Sequence, residues 1–253
     1  MQAMCFSLTH SRALRLSQHL AKAMPHVKFI LPTAPTQPVT LNMGMSMPSW
    51  YDIVGLDERS NENCQGIQES KQRIESILQN EHETTQLPYN RMLLAGFSQG
   101  GALSLFTGLQ LSQTLAGICV MSGYVPAASS LQVTQPDTPI LHCHGTNDMI
   151  VPFAMAQKSQ ALLQAKGVSH VEFRPFPIDH TVSPDELKTV LAFVQERLPA
   201  DDTCKITLKD PTSMSVKELK AAIRKAGLSQ KAAGFMEKQE FVKLLQDYRG
   251  GKL

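Results

Sequence analysis

The stretch RMLLAGFSQGGALSLF, residues 91–106, decides the fold. It opens with an apolar run typical of a strand buried in a parallel sheet and continues as an apolar segment of helical length. Between the two lies the pattern G-x-S-x-G, formed by Gly96, Ser98 and Gly100. In this pattern the glycines leave room for a tight turn that holds the serine clear of the sheet. We therefore predict a strand, a sharp turn with Ser98 at its apex, and a helix.

Two later residues complete a candidate catalytic set. A base is required in such a set because a serine hydroxyl is a poor nucleophile until its proton is taken. With this pattern an acid and then a histidine are expected further along the chain. Asp148 follows the predicted strand at residues 139–145, and His180 follows the one at residues 170–177. Both fall at the carboxyl edge of the sheet, where α/β proteins bind ligands. In this arrangement His180 takes the Ser98 proton and Asp148 fixes the tautomer of the imidazole.

Alternatives to this assignment are open at two points. The motif is also compatible with a glycine-rich helix start that has no catalytic role. Asp179 is a second candidate acid, but a side chain next to the histidine in sequence rarely reaches its Nδ1, so we favour Asp148. If the motif is catalytic, the backbone N–H of Gln99 is the expected oxyanion donor, because it opens the helix.

The composition and the order of elements predict the fold class. With 253 residues, 42% of them hydrophobic and 18% charged, the chain can bury a full core. Predicted strands and helices alternate up to residue 198, beginning with an amphipathic helix at residues 11–24. This alternation predicts a three-layer α/β sandwich around a mainly parallel sheet. Residues 32–64 contain four prolines and are predicted to form a long ordered loop, a lid or a pocket wall.

A second module follows this body. Residues 1–200 carry a formal net charge of −2 and residues 201–253 one of +4, and the alternation stops after Pro199. We therefore predict an α/β domain over residues 1–200, a linker over 201–212 and a small helical module over 213–253. In the module, Ser215 and Glu218 have the spacing of a capping box.

Several other site classes are disfavoured. The five cysteines are scattered, without C-x-x-C pairs or metal-ligand spacing, which indicates reduced thiols in an intracellular protein and no metal site. His142 and His144 face one side of a strand, but without a third ligand we favour core positions. No apolar run is long enough to span a membrane, and no secretory signal is present. The first acidic residue is Asp52, so the start is also compatible with a transit peptide.

A series of segments resembles one family, the acyl-protein thioesterase and carboxylesterase branch of the α/β-hydrolases, which includes lysophospholipases. The segments are, in order, PTAPTQPVTLNMGMSMPSWYDI (32–53), GFSQGGALSL (96–105), VMSGYVP (120–126) and HGTNDMIVP (144–152). The resemblance covers about residues 11–198. It implies an α/β-hydrolase sandwich in which Ser98, Asp148 and His180 form the catalytic triad.

The resemblance also implies a substrate class and a pocket. Members hydrolyse fatty-acyl thioesters on proteins, small carboxylic esters or lysophospholipids, without a cofactor or metal. We therefore expect a cytoplasmic enzyme whose partner is an acylated protein or a small acyl ester, with transient contact with a membrane surface. The residues implied to line the acyl pocket are Met47, Trp50, Tyr124 and Ile150. Met43, Met45 and Met47 could instead bind a metal through their thioethers, but we favour a flexible apolar wall.

The chain departs from the family pattern at its start. Family members begin with an apolar strand that runs into an H-G-L-G-D loop, which supplies the second oxyanion N–H. Here residues 1–10 read MQAMCFSLTH, and although residues 3–8 could fill the strand position, no glycine-rich loop follows. The expectation is a domain that lacks this strand and loop, either because the sequence is incomplete or because the protein is a weakened relative.

The C-terminal module resembles the SAP-like helix–extended–helix fold through SMSVKELKAAIRKAGLSQKAAGFMEKQEFVKLLQ, residues 213–246. That family includes nucleic-acid binders and protein-interaction domains. Because the module has no aromatic stacking platform and only a modest positive charge, we favour a protein partner over nucleic acid. The alternative function is a catalytically weakened or inactive hydrolase scaffold that binds a protein or nucleic-acid partner through this module.

Overall fold

The structure is a computed structural model in which the chain forms two compact units, Met1–Lys205 and Ile206–Leu253. The described residues are 2–7, 20–55, 62–201 and 209–249.

The first unit is built on a parallel sheet, which has six strands within the described residues. Its spatial order is β2-β1-β5-β6-β7-β8, and every neighbouring pair is parallel. The strands are β1 (Gln2–Ser7), β2 (Val27–Ile30), β5 (Met92–Phe97), β6 (Gly117–Met121), β7 (Ile140–Gly145) and β8 (Val171–Phe176). Its helices are α1 (Ile67–Thr85), α2 (Gln99–Gly108), α3 (Phe153–Ala165) and α4 (Pro184–Arg197). The predicted alternation and parallel sheet are confirmed.

The first strand corrects one expectation. Residues 2–7 lie inside the sheet, with Ala3 opposite Lys28 of β2 and also opposite Met92 of β5. The position of the family's N-terminal strand is therefore occupied, and the expected gap between β2 and β5 is not present. The physical reason is the apolar character of this run. A strand buried between two neighbours can be short, but it has to be apolar along its length. Residues 8–19 lie outside the described residues. They include the position at which family members have the oxyanion loop and most of the predicted first helix.

Two apolar layers cover the sheet, and β5 contributes to both. Successive strand residues point to opposite faces, so Met92 and Leu94 join one buried cluster while Leu93, Ala95 and Phe97 join the other. The first cluster contains the buried faces of α1, α2 and α3. The second contains the buried face of α4. This is the predicted three-layer arrangement.

The segment predicted as one long loop contains a hairpin. Strands β3 (Thr36–Val39) and β4 (Met45–Pro48) pair antiparallel. The turn uses positive φ at two adjacent residues, 55° at Met43 and 72° at Gly44. The hairpin is tied back to the body because the Asp52 carboxylate accepts hydrogen bonds from the backbone N–H and the hydroxyl of Thr40, at 2.7 and 2.6 Å. Local pairing was missed because the prolines and the short strands hide the period-two pattern.

The second unit contains two helices, α5 (Val216–Lys225) and α6 (Lys238–Arg249). The capping box predicted at Ser215 is confirmed, since Ser215 accepts from the Glu218 backbone N–H and Glu218 accepts from that of Ser215. The buried core of this unit consists of Met214, Leu219, Ile223, Phe241, Leu244 and Leu245. Most of the predicted linker, residues 202–208, lies outside the described residues. Across the described parts of both units, no helix is long and apolar enough to cross a membrane.

Candidate active site

The turn between β5 and α2 positions Ser98. Its backbone has φ 54° and ψ −124°, a strained conformation for a residue with a side chain. The turn closes so tightly that a Cβ on Gly96 would lie 2.2 Å from the carbonyl carbon and oxygen of Gly100. The backbone N–H of Ser98 donates to the carbonyl of Met121 at 2.8 Å, which pins the turn to the end of β6. The sequence therefore needs glycine where strand and helix meet in order to expose this one hydroxyl.

The loop after β8 brings His180 to Ser98. The Nε2 atom of His180 lies 3.0 Å from Ser98 Oγ, and its Nδ1 atom lies 2.7 Å from Asp148 Oδ2. The imidazole also packs on the ring of Phe97, with 4.7 Å between ring centroids. The side chain of the alternative acid, Asp179, is exposed. The structure thus brings together the three residues that the sequence singled out, and the carboxylate that faces His180 is that of Asp148.

The turn after β7 holds the Asp148 carboxylate in a buried position. Its Oδ1 atom accepts from the backbone N–H groups of Ile150 and Val151, at 2.9 and 2.8 Å, which leaves Oδ2 to face His180. His144 Nε2 donates to the carbonyl of Val151 at 2.9 Å and lies 3.6 Å from Asp148 Oδ2. Burial lowers the pKa of His144, so this second imidazole is neutral at physiological pH. The Asp148 carboxylate is therefore oriented by backbone donors, and a neutral imidazole lies beside it.

The helix that follows the serine begins at Gln99, whose side chain is buried. Its Oε1 atom accepts from the Trp50 backbone N–H at 2.9 Å, and its Nε2 atom donates to the Tyr51 carbonyl at 2.8 Å and to Ser49 Oγ at 2.9 Å. Sequence reasoning considered only the backbone N–H of this residue. The side-chain contacts were missed because no local pattern links residues 49–51 to residue 99.

The four residues implied to line an acyl pocket lie in different settings. Met47 and Ile150 are 37% and 57% exposed, whereas Trp50 and Tyr124 lie inside the apolar core. The Tyr51 hydroxyl donates to that of Tyr124 at 3.0 Å, and burial raises the pKa of Tyr124 to about 12. The structure does not gather these four side chains on one surface, and the acyl pocket stays a prediction.

The structure also shows where the histidines and methionines considered as alternative metal ligands lie. His142 and His144 are fully buried, as favoured from the sequence, and each Nε2 lies within hydrogen-bonding distance of a backbone carbonyl. Met43 and Met45 are 89% and 58% exposed on the β3–β4 hairpin. Within the described parts of the chain, no cluster of three or more histidine, cysteine or acidic side chains is arranged to hold a metal ion.

Comparison with known proteins identifies the family. The model of the phospholipase/carboxylesterase family matches residues 9–198. Acyl-protein thioesterase 1 of Mycosarcoma maydis is 35% identical over 194 residues, which cover 70% of this chain and 81% of that protein. Acyl-protein thioesterase 1 homolog 1 of Dictyostelium discoideum is 37% identical over 177 residues, covering 69% and 78%.

A solved structure agrees with this assignment. The crystal structure of Zea mays acyl-protein thioesterase 2 superposes with a TM-score of 0.69 at 25% identity, covering 78% of this chain and 94% of that one. The region that the family model matches, residues 9–198, contains β5, the serine turn, and the loops that carry Asp148 and His180. The chain therefore belongs to the phospholipase/carboxylesterase family of α/β-hydrolases, a family of ester and thioester hydrolases.

Proposed function

We propose that this protein is a serine hydrolase that cleaves the acyl thioesters of S-acylated proteins, or carboxylic esters, through an acyl-enzyme on Ser98. One observation carries the proposal, namely the continuous link from Ser98 Oγ to His180 Nε2 (3.0 Å) and from His180 Nδ1 to Asp148 Oδ2 (2.7 Å). A nucleophile, a base and a group that orients the base are the parts that acyl transfer requires.

Acylation begins at the serine. Ser98 Oγ attacks the acyl carbonyl carbon, and its proton passes to His180 Nε2 as the new C–O bond forms. The buried Asp148 carboxylate holds the Nδ1 proton of His180 and stabilises the imidazolium. When the tetrahedral intermediate collapses, the bond to the leaving sulfur or oxygen breaks, and His180 returns the proton to the departing thiol or alcohol.

The negative charge on the tetrahedral oxygen needs donors in place before the reaction. We assign the backbone N–H of Gln99 to this task, because it opens α2 next to the nucleophile. Each donor of this kind contributes about 10²–10³ to kcat. Strand β1 ends at Ser7, opposite Gly96. The residues after it lie outside the described part, so the second donor is not assigned.

Deacylation repeats these steps with water as the nucleophile. His180 takes a proton from a water molecule, whose oxygen attacks the acyl-enzyme carbonyl, and the ester bond to Ser98 breaks as His180 protonates the serine oxygen. The products are a carboxylic acid and free enzyme. Every proton transfer uses His180, so no cofactor is required for the atom balance.

The substrate class is argued from the relatives. All three relatives described above are named acyl-protein thioesterases, which supports an acylated protein as the physiological substrate. We place the protein in the cytoplasm, because its scattered cysteines favour a reducing compartment. A role of the C-terminal module in binding a protein partner stays a prediction. An inactive scaffold is disfavoured, because such a protein has no need to keep Ser98, His180 and Asp148 at hydrogen-bonding distance.

A covalent serine probe tests the proposal. A fluorophosphonate should label the folded chain at Ser98, and Ser98→Ala should abolish both labelling and hydrolysis of p-nitrophenyl acetate and of an S-palmitoylated peptide. Ser112→Ala, at an exposed serine of the same unit, is the matched control and should leave both intact. Folded wild-type protein that neither reacts with the probe nor turns over either substrate would overturn the proposal.

A further inference from the structure

We propose that Gln99, through its side-chain amide, is a positioning residue. It fixes the predicted acyl-binding wall, the β3–β4 hairpin with Met43, Met45 and Met47, relative to the nucleophile. It does so by holding residues 49–51, which continue directly from the β3–β4 hairpin. This inference rests on the proposed function, because the wall matters only if Ser98 is acylated. The role is separate from that of the Gln99 backbone N–H.

The contacts of the amide are directed at main-chain groups. Gln99 Oε1 accepts from the Trp50 N–H at 2.9 Å, and Gln99 Nε2 donates to the Tyr51 carbonyl at 2.8 Å. Ser49 Oγ accepts the second Nε2 proton at 2.9 Å and donates its own to the Tyr51 carbonyl at 2.7 Å. Donors and acceptors in this set are therefore matched, as buried polar groups require.

The polarity of these partners fixes the orientation of the amide. The Trp50 N–H can only donate and the Tyr51 carbonyl can only accept, so the amide oxygen must face residue 50 and the amide nitrogen residue 51. No other side chain of similar length offers one acceptor and two donor protons in this geometry. Glutamate would set a carboxylate oxygen against the Tyr51 carbonyl. Methionine would leave the Trp50 N–H without a partner and the Tyr51 carbonyl with the Ser49 hydroxyl alone.

The amide links two parts of the site that are distant in sequence. Gln99 directly follows Ser98, and residues 49–51 directly follow Pro48, the last residue of β4. From the other side, the hydroxyl of Ser70 in α1 donates to the Trp50 carbonyl. The peptide at Trp50 is thus held between α1 and the first residue of α2. Any shift of the hairpin and its methionines relative to the serine must break these bonds.

A buried main-chain group left without a partner costs about 1–3 kcal/mol. The segment can avoid that cost by moving outward to reach water, which displaces the hairpin. We therefore expect loss of the amide to impair substrates whose acyl chain contacts the wall more than substrates that are too short to reach it. The backbone N–H of residue 99, and with it the serine chemistry, is retained.

The experiment compares Gln99→Met with wild type in the full chain, using p-nitrophenyl octanoate and p-nitrophenyl acetate. The kcat/KM for octanoate should fall by about tenfold or more through a raised KM, with a smaller change for acetate. Trp50 is the single tryptophan, so its emission reports directly on the segment and should shift to longer wavelength. Gln110→Met, at the other end of the α2 region, is the matched control. It should change neither the kcat/KM for octanoate nor the Trp50 emission.

Ser49→Ala tests the same contact from the partner side and covers the case in which Gln99→Met does not fold. It should shift the octanoate-to-acetate ratio in the same direction, and the double variant should lose less than the two single losses combined. Equal loss on both esters, or an unshifted Trp50 emission, would overturn the positioning role. If wild type hydrolyses neither ester nor an S-palmitoylated peptide and does not react with a fluorophosphonate, the proposed function fails, while the emission of the variants still decides whether the amide holds the segment.

Discussion

The carbonyl oxygen of Ile178 lies so close to Gly145 that a Cβ at that position would sit 2.4 Å from it. Gly145 ends β7, and Ile178 belongs to the loop that carries His180. The same loop is fastened by the backbone N–H of Asn147, which donates to the Ile178 carbonyl at 3.0 Å. His180 and Asp148 are therefore held against each other by main-chain contact between their loops as well as by their own hydrogen bond.

Gly145→Ala should displace the His180 loop. Since the added methyl meets main-chain atoms, it is the loop that must move, and a misplacement of about 1 Å in a catalytic group can cost about 10² in rate. We expect kcat to fall by about that factor while Ser98 stays in its turn. Steady-state kinetics with p-nitrophenyl acetate check this. Ser169→Ala, an exposed change just before β8, should leave kcat unchanged, and an equal fall there would contradict the explanation.

Asp148→Asn should preserve the fold and lose most of the activity. An asparagine can still accept from the Ile150 and Val151 N–H groups, but if its NH₂ faces His180 the imidazole adopts the wrong tautomer for taking the Ser98 proton. In a serine protease the equivalent change costs about 10⁴ in kcat. The measurement is kcat at pH 7 alongside the thermal unfolding midpoint. Asp179→Asn is the control, and a comparable loss there would make Asp179 the acid.

The sequence could predict that the members of the candidate catalytic set lie together, because each of them stands next to a strong local signal. Gly96 and Gly100 mark the serine turn, while Asp148 and His180 each follow a recognisable buried strand. Chain order and the rule that parallel strands end at one edge then bring them together without any knowledge of side-chain geometry. The fold class followed from the same alternation of strands and helices.

What the sequence could not predict depends on contacts between distant residues. The insertion of β1 beside Met92 and the contact of Gln99 with Ser49 are long-range pairings that no periodicity encodes. Glu186 shows the same limit. It follows Ser183 by three residues, the spacing that predicts a full capping box at the start of α4. Ser183 does accept from the Glu186 N–H, but the Glu186 carboxylate is buried and makes no hydrogen bond to any described residue. Tertiary packing of α4 against the sheet thus overrides the local motif.

Glu186→Gln should stabilise the protein at neutral and alkaline pH. Burial raises the pKa of Glu186 from 4.5 to about 7, while the backbone of Ser183 has a smaller opposite effect. Between these two values the folded state binds more protons than the unfolded state, so this group makes stability fall as pH rises, and its effect levels off above about 7. The uncharged, nearly isosteric glutamine should remove that slope, a difference on the order of 3 kcal/mol.

Urea unfolding of wild type and Glu186→Gln at pH 5, 6, 7 and 8 measures this difference. The free energies of unfolding should diverge with rising pH in favour of the variant. Glu196→Gln, an exposed position on the same helix, should run parallel to wild type. Parallel curves for Glu186→Gln as well would mean that the carboxyl is ionised in the folded state throughout this range.

Ser215→Ala should loosen the start of α5 in the C-terminal unit. The Ser215 hydroxyl accepts from the Glu218 N–H at 3.3 Å, and the Glu218 carboxylate accepts from the Ser215 N–H at 2.6 Å. Loss of such a cap costs about 0.5–2 kcal/mol of helix stability. Hydrogen exchange of the first turn of α5 should therefore accelerate by about 2–30-fold. Ser229→Ala, an exposed serine after the helix, should not change it, and identical rates in the two variants would show that packing by Leu219 and Phe241 holds this helix start without the cap.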